Sequence, residues 1–251
     1  MTERLRSLRG VFRSLRIYYG KRERHRAMDR LHRQFVREGD LVFDIGSHVG
    51  DRIAAFRRLG CRVVAVEPQP ALVRVLRLLY GRAADVVIEP TAVGGAAGTL
   101  DLRINIDNPT ISTASQAFIA AADGAPGWSG EAWTQTHRVA VTTLDALIAR
   151  HGHPAFVKID VEGFEAEVLA GLSQTIPALS FEFTTIQRDV ALACIERCSL
   201  LGPYRFNAAL GESQTLLHST WLSADEIKAW LAGVPYEANS GDIYARLHGG
   251  D

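Results

Sequence analysis

The sequence predicts an α/β protein built on a doubly wound, mostly parallel sheet with helices on both faces. Two observations carry that expectation. From residue 41 onward, short continuous apolar runs alternate with helical stretches, as strands buried on both faces do. The first run, LVFDIG, opens directly into a glycine turn, GSHVG, followed by a helical stretch. That is the arrangement with which a ligand site begins at the carboxyl end of a sheet strand.

The chain has 251 residues, enough for one large domain. Its hydrophobic fraction of 47% and charged fraction of 22% are those of a globular protein with a full core. The formal net charge is zero, so no global electrostatic attraction to nucleic acid is expected. No apolar run approaches the length of a membrane span, and the basic N-terminus lacks the apolar stretch of a secretory signal. Cys61, Cys194 and Cys198 are odd in number and unpaired in spacing, which argues against a disulfide framework. Cys194 and Cys198, one helical turn apart, are expected to be half-buried helix residues rather than metal ligands. A reducing, cytoplasmic location is expected.

Residues 1–38 read as an N-terminal extension of one or two helices, ahead of a main domain at 39–251. Leu5, Leu8, Phe12, Leu15 and Tyr19 recur at helical spacing between arginines. Packing against the main domain is the simpler expectation; an arm for an anionic surface such as a membrane is the alternative. Strands are then expected at 41–46, 61–68 and 84–93, with helices at 52–59 and 71–80 between them. GTLDLRI alternates like an added β-element. Residues 105–137, rich in hydroxyls and glycine turns and holding Trp128 and Trp133, read as a long lid-like connection. Its tryptophan faces are expected to pack on a sugar ring. A helix at 143–150 is capped by Thr142 or Thr143. Strands at 156–161 and 178–183 and helices at 165–172 and 191–201 follow. YRFNAAL and GDIYARL close the chain as a β-pair.

Three ligands compete for the glycine turn. A nucleoside-triphosphate loop needs GxxxxGK and then Ser or Thr, and GSHVGDR lacks the lysine and the hydroxyl. A dinucleotide turn needs GxGxxG, whereas Ser47–His48 replaces the middle glycine here. Asp44 would also repel a phosphate. It suits a ligand with a positive end, and S-adenosylmethionine carries an ammonium, a sulfonium and a ribose but no phosphate. Asp44, Gly46, Ser47 and Gly50 are therefore assigned to its methionine side. Glu67, followed by Pro68, ends the second strand and is assigned to the ribose hydroxyls.

The second informative stretch is FVKIDVEGFEAEVL, residues 156–169. Asp160 and Glu162 follow an apolar strand at period two and are expected on one face, toward the crevice. Glu182 ends the neighbouring strand. Neighbouring buried carboxylates raise one another's pKa, which suits a general base; a divalent cation is an alternative use of them, but none is predicted. The plainer alternative pairs Lys158 with one acid and lets Glu162 cap the next helix. His48 is a further candidate base, and His137 and His153 lie near loops.

In order, DIGSHVG, AVEPQP, AVGGAAG, VTTLDALI, KIDVEGFEAEVLAGL, LSFEF and GDIYAR resemble the FkbM-type methyltransferases, from about residue 40 to about residue 247. The resemblance implies a class I methyltransferase (Rossmann-like) fold, with a seven-stranded, mostly parallel sheet and one antiparallel strand near the C-terminus. It implies methyl transfer from S-adenosylmethionine, typically to a hydroxyl of a sugar, glycoside or secondary metabolite. By position, Asp44, Gly46, Gly50 and Glu67 would contact the cosubstrate, Thr91 and Ala92 would lie near adenine, and Asp160 and Glu162 would line the transfer site. NPTISTAS resembles a loop that faces the acceptor in one branch of the family. His48 departs from the small residue or asparagine more common at its position. Alternative functions are a catalytically inactive nucleoside-binding scaffold and an NAD-linked oxidoreductase.

Overall fold

The computed structural model describes residues 3–19 and 22–249. The expected sheet is present. Its seven strands are β1 (Leu41–Ile45), β2 (Arg62–Val66), β3 (Val86–Glu89), β7 (Phe156–Ile159), β8 (Ala178–Thr184), β9 (Tyr204–Leu210) and β10 (Ser240–Leu247). Their spatial order is β3-β2-β1-β7-β8-β10-β9. The first five pair in parallel, and β10 runs antiparallel to both β8 and β9. The order reverses between β1 and β7, so the loops after these two strands flank a switch-point crevice.

The third strand is shorter than expected. Pro90, which has no N–H to donate, ends β3. The chain then turns and restarts as β4 (Ala92–Val93) in a separate sheet of order β4-β6-β5, with β5 at Gly98–Ile104 and β6 at Gln135–Thr142. Strand β6 was not expected: its inward positions Gln135 and His137 are polar and only partly buried, so QTHRVAVT shows little apolar alternation. Inside 105–137 the chain also forms a 3₁₀ turn at Pro109–Ile111 and helix α5 at Gln116–Ala122, capped by Ser115.

Helices α1 (Glu3–Tyr19) and α2 (Arg22–His32) form the N-terminal segment; the Leu8 side chain lies outside the described residues. Helices α3 (Asp51–Arg58), α4 (Pro70–Tyr80), α6 (Leu144–His151), α7 (Glu165–Ala170), α8 (Arg188–Leu201) and α9 (Ala224–Gly233) complete the layers. Thr143 caps α6 by accepting from Ala146 N–H at 3.1 Å. Helix α9, also unexpected, starts in a capping box of Ser223 and Glu226.

Alternation along the strands divides the core in two. Phe43, Ile45, Val157 and Ile159 face α6, α7 and α8. Val42, Phe56, Phe156 and Tyr244 lie on the other side, together with Leu31 and Val36 from the N-terminal segment. Cys61, Cys194 and Cys198 are all buried thiols, and Cys194 and Cys198 are fully rather than half buried. Among the described residues no helix is long and apolar enough to cross a membrane.

Candidate active site

The glycine turn is fixed by contact as much as by torsion. Gly46 has φ +82°, and a Cβ there would stand 1.9 Å from the carbonyl oxygen of Asp160. Only glycine lets the loop after β1 press against the loop after β7. Ser47 is buried, its Oγ–H donating to the Asp44 carbonyl at 2.7 Å. His48 carries φ 49° without being glycine, a local strain of the kind that gathers at functional sites. Gly50 caps α3 with φ +85° and leaves room for Tyr80 and Leu76; it lines neither of the two clefts at the switch point. The Tyr80 hydroxyl donates to its carbonyl at 2.9 Å.

Two adjoining clefts open at the switch point and share Gly46, His48, Thr110 and Asp160 as common wall. The larger, about 560 Å³ when its space open to solvent is counted, is lined by Glu67, Pro68, Thr91, Ala92 and Glu162 among others. The smaller, about 450 Å³, is lined by Asp44, Ser47 and Lys158 and by residues from distant segments, Tyr18 and Glu212. Thr91 donates its hydroxyl to the Ala140 carbonyl at 2.8 Å, tying the wall of the larger cleft to β6. Thr110 and Ser112, from NPTISTAS, complete that wall. Trp128 and Trp133 do not reach either cleft. Trp128 packs edge-on against Phe118 at 5.2 Å, and Trp133 Nε1–H donates to the Ile111 carbonyl at 2.7 Å, so both rings build the interior of their own loop. His137 and His153 also lie outside both clefts.

Glu67 is 2% exposed. Its Oε2 accepts from His48 N–H at 2.9 Å and its Oε1 from Gln69 N–H at 2.8 Å. Burial pushes its pKa up to about 8 despite these two bonds. Each oxygen keeps a second lone pair, which is what a vicinal diol needs as acceptor. Asp44 is buried, and its Oδ2 has no hydrogen-bond partner. Burial, then the Asp51 charge, lifts its pKa to about 7. The cations beside it are already engaged: Arg52 with Asp51 at 3.1 Å, Lys158 with Asp242 at 2.6 Å. An orphaned carboxylate at one end and a diol-seeking carboxylate at the other fit the ammonium and ribose of S-adenosylmethionine and disfavour a pyrophosphate.

Residues 44–218 match the methyltransferase FkbM domain. The chain belongs to the FkbM methyltransferase family. It is thereby a methyltransferase that takes its methyl group from S-adenosylmethionine. No curated protein matches the sequence significantly. Solved structures of similar shape include a precorrin-6y C5,15-methyltransferase from Geobacter metallireducens, at 14% identity and TM-score 0.46, covering 90% of this chain and 88% of that one. A TehB-like methyltransferase from Corynebacterium glutamicum follows at 10% and 0.43, covering 88% and 87%. An O-methyltransferase from Thermotoga maritima has 10% and 0.41, covering 88% and 64%. Likenesses this distant carry no argument about chemistry.

In this FkbM methyltransferase the acids after β7 are held by a braced turn. Glu165 accepts from Val161 N–H at 2.9 Å and Gly163 N–H at 3.1 Å, a role the plainer alternative had given to Glu162. Thr113 Oγ–H donates to the Glu162 carbonyl at 2.6 Å. The Glu162 backbone is left-handed, φ 55°, which frees its side chain to face the larger cleft. Lys158 reaches Asp160 at 3.2 Å as well as Asp242. Burial alone would raise the Asp160 pKa, but Lys158 and Arg52 outweigh it and hold the group below its ordinary value. Glu162 and Glu182 move the opposite way, raised by burial and then by neighbouring carboxylates. Burial holds His48 neutral, with its pKa down to about 4, which makes it a weak base.

Thr110 was read from the sequence only as part of the NPTISTAS loop, and Tyr18, Glu212 and Asp242 were not read as site residues. Their only local signal is Asp242 inside an apolar strand; the others reach the site from far along the chain.

Proposed function

We propose that this enzyme methylates a hydroxyl oxygen of a sugar, glycoside or related secondary metabolite. The observation that carries the reading is the pairing of Asp160 and Glu162 beside the larger cleft. Asp160, held ionised by Lys158 and Arg52, offers a fixed negative charge, and Glu162, whose pKa is raised, is in its ionised form the stronger base for the hydroxyl proton. S-adenosylmethionine, when bound, supplies an electrophilic methyl group on a positively charged sulfur. The acceptor oxygen forms the new C–O bond as the C–S bond breaks toward sulfur, and the hydroxyl proton passes to the carboxylate pair. The chain's own contribution is alignment: Glu67 holds the ribose, Asp44 the ammonium, and the turn at Glu162 presents the base.

Calorimetric titration with S-adenosylmethionine, with NAD as control, tests the cosubstrate pocket, and an acceptor screen among sugars and glycosides then tests the substrate class. Saturable binding of the first ligand alone is expected. Asp160→Asn and Glu162→Gln are expected to keep that binding within about threefold while losing about 100-fold in turnover. Full activity in both variants would remove the pair from the mechanism.

A further inference from the structure

The acids of the transfer site present more carboxylate oxygens than the protein partners. Asp160, Glu162 and Glu182 each bring a carboxylate oxygen to within 4.8 Å of the others. Among the described residues the ammonium in contact with this group is Lys158, 3.2 Å from Asp160, and it is shared with Asp242. Glu162 is 7% exposed, and no hydrogen bond among the described residues reaches its carboxylate. Glu182 Oε2 is likewise buried without a partner. Asp160 differs: its side chain is 33% exposed and borders both clefts.

Unpartnered carboxylate oxygens packed together need protons or a cation. A proton shared between two of the carboxyls, such as Asp160 and Glu182, satisfies two oxygens and leaves the third carboxylate unpartnered. A divalent cation with oxygen ligands at about 2.0–2.6 Å places those ligands about 3–5 Å apart and satisfies all of them together. The donors here are all hard oxygens, which suits magnesium, manganese or calcium and not zinc or copper. They also come from two neighbouring strand ends, β7 and β8, rather than from one flexible loop.

We propose that Asp160, Glu162 and Glu182 form a divalent-cation site at the edge of the larger cleft, and that the cation's open positions take the acceptor hydroxyl. The role in transfer rests on the methylation reading above; the binding of the cation does not. A coordinated hydroxyl loses its proton more easily than a free one. The proton leaves to solvent or to a displaced carboxylate, and the oxygen then forms its bond to the methyl carbon as before.

The test uses the purified full-length chain, freed of metal with a chelator and without cosubstrate or acceptor. Manganese is titrated in at neutral pH, with free Mn²⁺ followed by electron paramagnetic resonance. One ion per chain is expected, with a dissociation constant at or below about 1 mM, displaceable by magnesium. Glu182→Gln is expected to weaken binding by about tenfold or more, with circular dichroism unchanged. No saturation by wild-type protein up to about 10 mM overturns the site, as does equal binding by Glu182→Gln and Glu162→Gln. S-adenosylmethionine is titrated into the same preparation. If it binds and manganese does not, the cation proposal alone fails. If manganese binds and S-adenosylmethionine does not, the metal site stands and the methylation reading falls.

Discussion

Replacing Asp44 by Asn is expected to stabilise the free protein while weakening its hold on S-adenosylmethionine. The side chain keeps its shape and loses its charge. A carboxyl whose folded pKa is about 7, against an ordinary value of 3.8, retains its proton longer when folded than when unfolded. Stability therefore falls as pH rises from about 4 to about 7 and is flat above that. The cost of burying the charge is about 2 kcal/mol near pH 5 and about 4 kcal/mol near pH 8. Asn escapes it but leaves an amide donor where Oδ2 had no partner, which returns about 1–3 kcal/mol. The difference between the two pH values, about 2 kcal/mol, is free of that correction. Urea denaturation of both proteins at the two pH values reads it directly. Calorimetry is expected to show affinity for S-adenosylmethionine reduced about 10- to 100-fold, the worth of a charged hydrogen bond. Parallel pH profiles together with unchanged affinity would refute the assignment of Asp44 as a charge held for a cationic ligand.

Glu67→Gln sets an amide N–H against a backbone N–H of His48 or Gln69, and is expected to lower S-adenosylmethionine affinity about 10- to 100-fold by calorimetry; unchanged affinity would remove Glu67 from the ribose. Gly46→Ala drives a Cβ into the Asp160 carbonyl at φ +82°, and a loss of about 3 kcal/mol or more in urea is expected, with binding lost as the two loops separate. His32 is fully buried, its Nδ1–H donating to the Met28 carbonyl at 3.0 Å, and burial lowers its pKa to about 3. Its contribution is complete above about pH 6.5 and is lost as pH falls, about 2 kcal/mol by pH 5 and about 4 by pH 3. His32→Asn, which keeps a donor for Met28, should lack that acid sensitivity in urea melts; an identical acid profile would contradict the burial argument. Asp44 and His32 act in opposite directions between about pH 5 and pH 7, so each is read only against its own variant.

What the sequence revealed was chemistry that is local along the chain. Asp44, Gly46 and Glu67 stand out because strand ends, a turn and a carboxylate lie within one unit of strand, helix and strand. Asp160 and Glu162 stand out for the same reason on β7. Tyr18 and Glu212 were illegible as site residues because their place depends on where an N-terminal helix and a late loop come to rest. The tryptophans misled because exposure was assumed from loop composition, whereas Phe118 and Ile111 enclose them. Glu165 was read only as the start of a helix, because its bracing bond to Val161 N–H goes with a left-handed turn at Glu162 that no propensity marks.

Helix α2 brings Met28, Leu31 and His32 under β1 and β7, where His32 meets Phe56 and Phe156 edge-on at 4.6 and 5.8 Å. All three precede the first residue of the recognisable family signature, Asp44. Strand β10, which separates β8 from β9 and holds the Asp242 partner of Lys158, lies beyond residue 218, where the matched domain ends, although its GDIYAR carries part of the resemblance. The inheritable signature is thus smaller than the cooperative folding unit. A fragment cut at the signature's limits would carry the whole glycine turn and the acids of β7 and β8, yet would have an open apolar sheet face and a missing inner strand. Exchanging signatures between relatives would likewise transplant a pocket without the floor on which it rests.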